Sequence, residues 1–201
     1  TKIVDYESAS RKGEPFKQLI ETIGYAPNPV ARYCTTDLKI RAIKEYLVDM
    51  LGWETPYTSL IGIRGDEQRR AAKMSGTISN GQERYLPLFL DGVTAKDVGK
   101  YWEQNDFDLN LPNNNGVTDW GNCDLCFLKA QGKRQSIIRE RPDLADWWIE
   151  LETIDGKGKG QPSYFRKDAP SYKEMKAKAL DQTSIFDQID NDVSISCFCG
   201  D

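Results

Sequence analysis

The sequence predicts an α/β protein with many helices and few strands, and three observations carry that prediction. Apolar residues recur at helical spacing in most segments between turn signals. A short apolar stretch, roughly Ser59 to Ile63, reads as a strand and ends in a charged turn that opens a helix. The chain has 201 residues, 39% hydrophobic and 29% charged, which suits one soluble domain with its own core. One domain is expected over residues 1–185, followed by an acidic, cysteine-containing tail over residues 186–201.

The elements are expected in the following order. Ile3 and Val4 mark a short strand before a polar loop. "GEPFKQLIETIGY" places Phe16, Leu19, Ile20 and Ile23 at a helical period. After the proline-punctuated "APNPVARYC", the segment "TTDLKIRAIKEYLVDMLGW" sets Leu38, Ile43, Leu47, Val48 and Leu51 on one stripe, with Thr35 or Thr36 as N-cap and Gly52 as stop. Past the Ser59–Ile63 strand, an Arg- and Glu-rich helix runs from Glu67 to Met74. "SGTISNGQER" reads as a polar loop and "YLPLFLDG" as a short extended piece. A helix capped by Thr94 turns Val98, Tyr101 and Trp102 inward. A long loop then leads to Cys123, and helices follow over Leu125 to Arg139 and over "RPDLADWWIELE", with Pro142 in the first turn. "TIDGKGKGQPS" is a loop, Ser171 caps a last helix, and the tail is irregular. The opening at Thr1, with no methionine before it, implies that sequence belonging to the first strands lies upstream.

Composition narrows the chemistry. The chain has no histidine, which removes Ser-His-Asp and Cys-His catalysis and every metal site that uses imidazole. A net charge of -4 argues against duplex binding driven by bulk charge. No apolar run is long enough to span a membrane and no signal peptide is visible, so a cytoplasmic location is expected. In that compartment five cysteines are read as thiols or metal ligands rather than as a disulfide framework.

Three constellations bear chemistry. In "GNCDLCFLK", Cys123 and Cys126 share a turn at the spacing used to grip a metal, while Cys34 stands at a helix start and Cys197 and Cys199 in the tail. Four sulfurs suit zinc or an iron–sulfur cluster, and three leave one cluster iron open. The plainer alternative is buried or surface thiols with no ligand. In "GIRGDEQRR", Arg64, Asp66, Glu67, Arg69 and Arg70 fall just past the carboxyl end of a strand, where open α/β sheets bind ligands and guanidinium groups suit phosphate or sulfate; a solvated helix start with local ion pairs explains the same pattern. Lys39 and Arg41, on the first turns after Cys34, are positioned to hold an anion or to lie exposed on an ordinary helix face. "GKGKG" lacks the spacing of a phosphate loop.

Taken together, "NPVARYCTTDLKIRAIKEYL", "LIGIRGDEQRR", "PLFLDGVTAKDVGKYW" and "GNCDLCFLK…IRERPDLADWWIELE" resemble the phosphoadenosine phosphosulfate reductase-like proteins of the N-type ATP pyrophosphatase, or adenine nucleotide alpha-hydrolase, superfamily, and its phage and prophage members above all. The resemblance covers roughly residues 1–175. It implies a parallel sheet flanked by helices, with the first strand and pyrophosphate loop upstream and a helical C-terminal part. It also implies an adenine nucleotide, ATP or phosphoadenosine phosphosulfate, at the carboxyl ends of the strands. Family members act on activated sulfate or on ATP during sulfur transfer, several with a four-iron cluster, and a thioredoxin-like electron donor is the implied partner of the reductases. Carried onto this chain, the cluster ligands become Cys34, Cys123 and Cys126, with Cys199 or Cys197 as candidate fourth. Lys39, Arg41 and Arg64, with Asp66 and Glu67 beside them, become the nucleotide or sulfate site.

The chain departs from the family pattern in three places. Tyr33-Cys34 stands where the assimilatory enzymes have adjacent cysteines; the Ser-Gly-Gly pyrophosphate loop is absent; and "SCFCGD" replaces the Glu-Cys-Gly-(Leu/Ile)-His tail. In the reductase version a tail thiolate, Cys197 or Cys199, acts as catalytic nucleophile; in a sulfur-transferase version an open cluster iron delivers sulfide. The alternative from another class is a non-catalytic nucleotide- or nucleic-acid-binding module with structural zinc at the same cysteines.

Overall fold

The computed structural model describes residues 3–74, 78–79, 81–112, 118–121, 123–154 and 163–181. These form a mixed α/β protein whose residues group into two compact units. One comprises residues 35–111, the other residues 3–34 together with the described residues from 112 onward.

The first unit carries the sheet. Strand β1 (Tyr57–Leu60) lies parallel to β3 (Gln82–Tyr85), with Tyr57 opposite Gln82 and Leu60 opposite Tyr85, and β2 (Ile78–Ser79) pairs antiparallel on the far side of β3, giving the order β1-β3-β2. Tyr57 and Gln82 both point inward, and the Gln82 amide nitrogen donates to the Tyr57 hydroxyl at 2.8 Å, so this buried polar pair is satisfied. The strand expected over Ser59–Ile63 begins two residues earlier; Ile61 still donates to Tyr85 O at 2.9 Å before Ile63 drops into a small core with Ala71, Met74 and Leu86.

The stretch read as a polar loop supplies β2 and β3 instead. In "QERY" the buried Gln82 alternates with exposed Glu83, so the strand has the period of two without the apolar residues that usually reveal it. Gly81 makes the intervening turn at φ +79°. The piece expected to be extended after β3 is a single helical turn, α5 (Pro87–Leu90), started by Pro87 at its first position.

Helix α4 (Gln68–Met74) and helix α6 (Ala95–Glu103) lie where the sequence placed them. Thr94 caps α6 as expected, through a reciprocal box with Asp97. Tyr101 and Trp102 turn outward rather than inward, 54% and 37% exposed, and close on Phe107 in an edge-to-face cluster.

The helix expected after Cys34 forms, with a different winding. A regular turn α2 (Tyr33–Thr35) widens to a π-helix over Thr36–Arg41 (π1), narrows over α3 (Ala42–Lys44) and widens again over Glu45–Met50 (π2). Each wide turn closes with i→i+5 hydrogen bonds and so takes up an extra residue. That rotates the expected stripe off a common face: Ile43 and Leu51 are half exposed, and Thr35 and Ile40 are the buried positions.

The second unit is helical. Helix α1 (Glu14–Ile23) is bracketed by Gly13 and Gly24, both at positive φ. Helices α7 (Gln131–Glu140) and α8 (Leu144–Thr153) each pack on α9 (Tyr172–Asp181). Ile20, Leu125, Phe127, Ile137, Leu151 and Met175 fill the centre, and Phe165 stacks on Phe127 with ring centroids 5.5 Å apart. The helix expected from Leu125 starts only at Gln131. Leu125, Phe127 and Leu128 mimic a helical stripe but are buried in a tight turn that inserts into the core.

Pro142 sits in the turn just before α8, where its carbonyl accepts the Ala145 amide at 3.2 Å. Ser171 caps α9 as expected, through a reciprocal pair with Glu174. Ile3 and Val4 are exposed and non-strand, since no neighbouring strand among the described residues pairs with them. No helix among the described residues is long and apolar enough to cross a membrane. The "GKGKG" loop and the tail from 182 onward lie outside the described residues.

Candidate thiolate site

The CxxC stretch is a double turn held by its own backbone. The Cys126 amide donates to Cys123 O at 3.3 Å and the Lys129 amide to Cys126 O at 2.9 Å. Leu125, Phe127 and Leu128 anchor the turn in the core, which leaves Cys123 exposed and buries Cys126. Cys34 follows a loop pinned to the same unit: Ala26 donates to the Ser163 hydroxyl at 2.7 Å, the Asn28 carboxamide accepts the amides of Val30 and Ala31, and the Tyr33 hydroxyl donates to Tyr25 O. Tyr33 and Cys34 then pack, half-buried, against the core cluster that contains Cys126.

The structure thus places Cys34 on the core that holds the CxxC turn. Among the described residues, no three Cys, Asp or Glu side chains stand close enough together to hold a metal ion. Cys197 and Cys199, the candidate nucleophiles and fourth ligands, lie outside the described residues.

Residues that the sequence reading passed over complete the site. Lys129 and Arg134 look like ordinary helix cations, yet Lys129 is 8% exposed and Arg134 1%. The Lys129 ammonium donates to Asp119 O. Burial pushes its pKa below the usual lysine range, against the upward pull of Asp124, Cys126 and Asp119. Arg134 lies with its guanidinium carbon 5.8 Å from the Tyr172 ring centroid, and its Nε and Nη2 atoms are buried without a hydrogen-bond partner. The Tyr172 hydroxyl donates to Leu125 O, inside the cysteine turn. Burial drives that hydroxyl above the usual tyrosine range, with Arg134 opposing and Cys126 adding to the shift. Glu152, also buried, accepts the Tyr172 amide at 3.0 Å; burial pushes its carboxyl up to about 7, against the backbone hydrogen bonds and the Arg134 charge. One signal in the sequence pointed here: Lys129 stands three residues after Cys126, inside the apolar run that buries the turn.

Two sulfurs stand on one turn and a third cysteine packs on the same core, beside two buried cations. Cys123 also borders an open cleft of about 470 Å³, walled by Arg11, Lys12, Gly13, Trp147 and Trp148. The cleft depends on Gly13: a Cβ there would lie 2.4 Å from the Trp147 ring.

The candidate nucleotide residues belong to the sheet-bearing unit. The loop after β1 packs close against the loop after α5, where Gly65 donates to Val93 O at 2.8 Å and a Cβ on Gly65 would meet the Gly92 backbone at 2.9 Å. Arg64, Asp66 and Glu67 come together there. Arg64 Nε donates to Asp66 Oδ1 at 2.8 Å, its amide donates to Glu67 Oε2 at 3.0 Å, and Arg70 reaches Glu67 at 2.5 Å. Asp66 also accepts the first amide of α6, from Ala95, at 3.2 Å. The Arg64 hydrogen bond holds the Asp66 carboxyl below the usual range. Burial works against ionisation of Glu67, but the Arg64 amide and the Arg70 guanidinium outweigh it and its pKa is lowered. The local ion pairs of the plainer reading are therefore present. On π1, Lys39 is exposed and Arg41 pairs with Asp37 at 2.9 Å.

No family model matches the chain, and no solved structure matches it. Over 140 residues the chain is 32% identical to the uncharacterized nin region protein ORF290 of Escherichia phage lambda. That similarity spans 70% of this chain and 43% of the length of the phage protein.

Proposed function

We propose that the chain is an enzyme of sulfur metabolism or sulfur transfer that acts on an adenine nucleotide or sulfonucleotide and carries a thiolate-ligated iron–sulfur cluster of the four-iron kind. The observation that carries this reading is the burial of Cys126 in a CxxC turn, with Cys34 on the same core and two buried cations at hand.

The nucleotide half of the reading draws on the parallel pair β1–β3, whose carboxyl end on β1 leads into the Arg64 loop, the position at which open α/β sheets take ligands. A fold of the adenine nucleotide alpha-hydrolase type is part of the proposal. In it Arg64 exchanges its carboxylate partners for the oxyanion of the nucleotide or its sulfate, with Lys39 and Arg41 as further cations. Cys123, Cys126 and Cys34 hold the cluster, Cys197 or Cys199 supplies the nucleophilic thiol or the fourth ligand, and a thioredoxin-like donor would return electrons. The phage similarity agrees with the phage-type resemblance of the sequence.

Anaerobic purification of the full chain, followed by iron, zinc and acid-labile sulfide analysis, tests the reading. Iron with sulfide, lost in Cys126→Ser, is the expected result. Stoichiometric zinc without sulfide would turn the reading into a structural-zinc binding module. Equal metal content in the native chain and Cys126→Ser sinks the ligand assignment.

A further inference from the structure

The cleft that Cys123 borders lies wholly within the helical unit, and its volume of about 470 Å³ falls in the size class of small-molecule sites. Its walls are of two kinds. Leu144, Trp147 and Trp148 give an apolar side. Trp148 is buried, whereas Trp147 is half-buried: Phe16 and Trp148 pack on it with ring centroids 5.6 and 5.3 Å away, and the rest of the indole borders the opening. Arg11 and Lys12 give a cationic side. Both are exposed, and among the described residues neither forms an ion pair. Arg11 is nonetheless held in place. Its guanidinium carbon stands 3.9 Å from the centroid of the Tyr6 ring, and its Nη2 donates to Tyr6 O. Tyr6 belongs to a turn closed by the Ser8 amide, which donates to Asp5 Oδ1 at 2.9 Å. Stacking and a carbonyl thus position the guanidinium and leave its charge uncancelled. Two carboxylates share the wall. Asp143 is taken up by two nitrogens of Arg141, at 2.9 and 2.7 Å, which leaves Asp124 against the two cations.

These walls discriminate between ligand classes. Inorganic phosphate engages the cations and leaves the indole idle. An acyl chain covers the indole but sets two charges against hydrocarbon. An organic cation stacks on the indole but meets Arg11 and Lys12 as like charges. A planar heterocycle that carries a phosphate satisfies both sides: the ring stacks on the indole, and the guanidinium and ammonium take the phosphate oxygens. We propose that the cleft binds a nucleoside phosphate, free or as one unit of a single strand, with its base against Trp147 and its phosphate at Arg11 and Lys12. This site does not rest on the sulfur-transfer reading, whose nucleotide is assigned to Arg64 in the sheet-bearing unit.

Calorimetric titration of the full chain tests the site, with adenosine 5′-monophosphate, adenosine, inorganic phosphate and a short oligodeoxyadenylate as probes. Arg64→Gln serves as the background, so that binding at the other candidate site is set apart. In that background a phosphorylated probe is expected to bind, and the added pair Arg11→Gln and Lys12→Gln is expected to weaken it at least about tenfold, the scale of one charge-assisted hydrogen bond. Adenosine and inorganic phosphate, each with half of the contacts, are expected to bind at least about tenfold more weakly than adenosine 5′-monophosphate or the oligonucleotide. Tighter binding of the oligonucleotide than of the mononucleotide assigns the cleft to a single strand, and the reverse order assigns it to a free nucleotide.

Inorganic phosphate that binds as tightly as the phosphorylated probes overturns the stacking half of the site, and with it the proposal; adenosine that does so overturns the charge half with the same result. Binding left untouched by the Arg11→Gln and Lys12→Gln pair also overturns it. A native chain that binds nucleotide while Arg64→Gln does not removes the cleft site and leaves the Arg64 reading standing. Equal binding by the native and Arg64→Gln chains, lost in the Arg11→Gln and Lys12→Gln pair, supports the cleft and removes Arg64 as a nucleotide contact. Both cations are exposed, so the fold is expected to tolerate their replacement. If the pair fails to fold, Lys12→Gln alone decides by the same comparison.

Discussion

Glu152 on α8 accepts the Tyr172 backbone amide at 3.0 Å, so a buried carboxylate closes the start of α9 from twenty residues away in sequence. The amide it serves is one of those that a helix N-terminus leaves without an intrahelical partner. The location is favourable for a negative charge at the helix start and unfavourable for any charge at that depth, and burial wins: the carboxyl is pushed up to about 7.

This makes stability depend on pH in an unusual direction for a carboxyl group. The unfolded chain releases the Glu152 proton near the ordinary value of 4.5, whereas the folded chain keeps it to about 7. Between those values the folded state holds more protons, so its stability is full below the lower value and declines as pH rises through the upper one. The decline is on the order of 3 kcal/mol. Glu152→Gln, which still offers an oxygen to the Tyr172 amide, should flatten this part of the profile; urea unfolding of both proteins between pH 5 and 8 checks it, and parallel profiles would remove Glu152 as the cause.

Tyr172→Phe deletes the hydroxyl that fastens α9 to Leu125 O. A lost buried hydrogen bond of this type, with the carbonyl left behind, is worth about 1–2 kcal/mol. The variant should unfold at lower urea, and Cys126 should react faster with iodoacetamide because its turn is no longer tied to α9. Unchanged alkylation would show that the turn is held by its apolar anchors alone.

Gly13→Ala meets two obstacles at once. The residue sits at φ +79°, and the new Cβ would fall 2.4 Å from a Trp147 ring carbon. Displacing that ring disturbs its contact with Phe16, whose centroid lies 5.6 Å away. A loss of at least about 1–2 kcal/mol is expected from the backbone strain with the overpacking, together with a shift in tryptophan fluorescence. A neutral variant would mean that α1 starts in another way.

Thr94→Ala removes the side-chain oxygen that caps the Asp97 amide at the start of α6. The expected cost is about 1 kcal/mol, read as a lower urea midpoint for the sheet-bearing unit. Thr94→Ser should recover most of it.

What was legible in the sequence was local. Thr94 with Asp97 and Ser171 with Glu174 announce helix starts because both partners lie within one turn. The α/β class was legible for the same reason. Strand β3 was not, because Gln82 and Glu83 alternate by burial without alternating by hydrophobicity, and its partner Tyr57 is distant in the chain. Leu125, Phe127 and Leu128 imitate a helix since a buried turn and a buried helix face have the same composition. The cysteines of the candidate site stood out by spacing. Arg134, Glu152 and Tyr172 did not, since nothing local distinguishes a buried cation or carboxylate from a solvated one. Their roles come from contacts made across the helical unit.

The helical unit is assembled from chain on both sides of the sheet-bearing unit. During synthesis α1 therefore leaves the ribosome long before the residues that bury it: Phe16 and Ile20 wait for Trp148 and Phe165 until the whole intervening segment has emerged. The three described strands pair within one stretch, residues 57–85, so their ladder needs no later part of the chain. Vectorial synthesis thus delays the burial of the apolar face of α1 until the later helices have emerged.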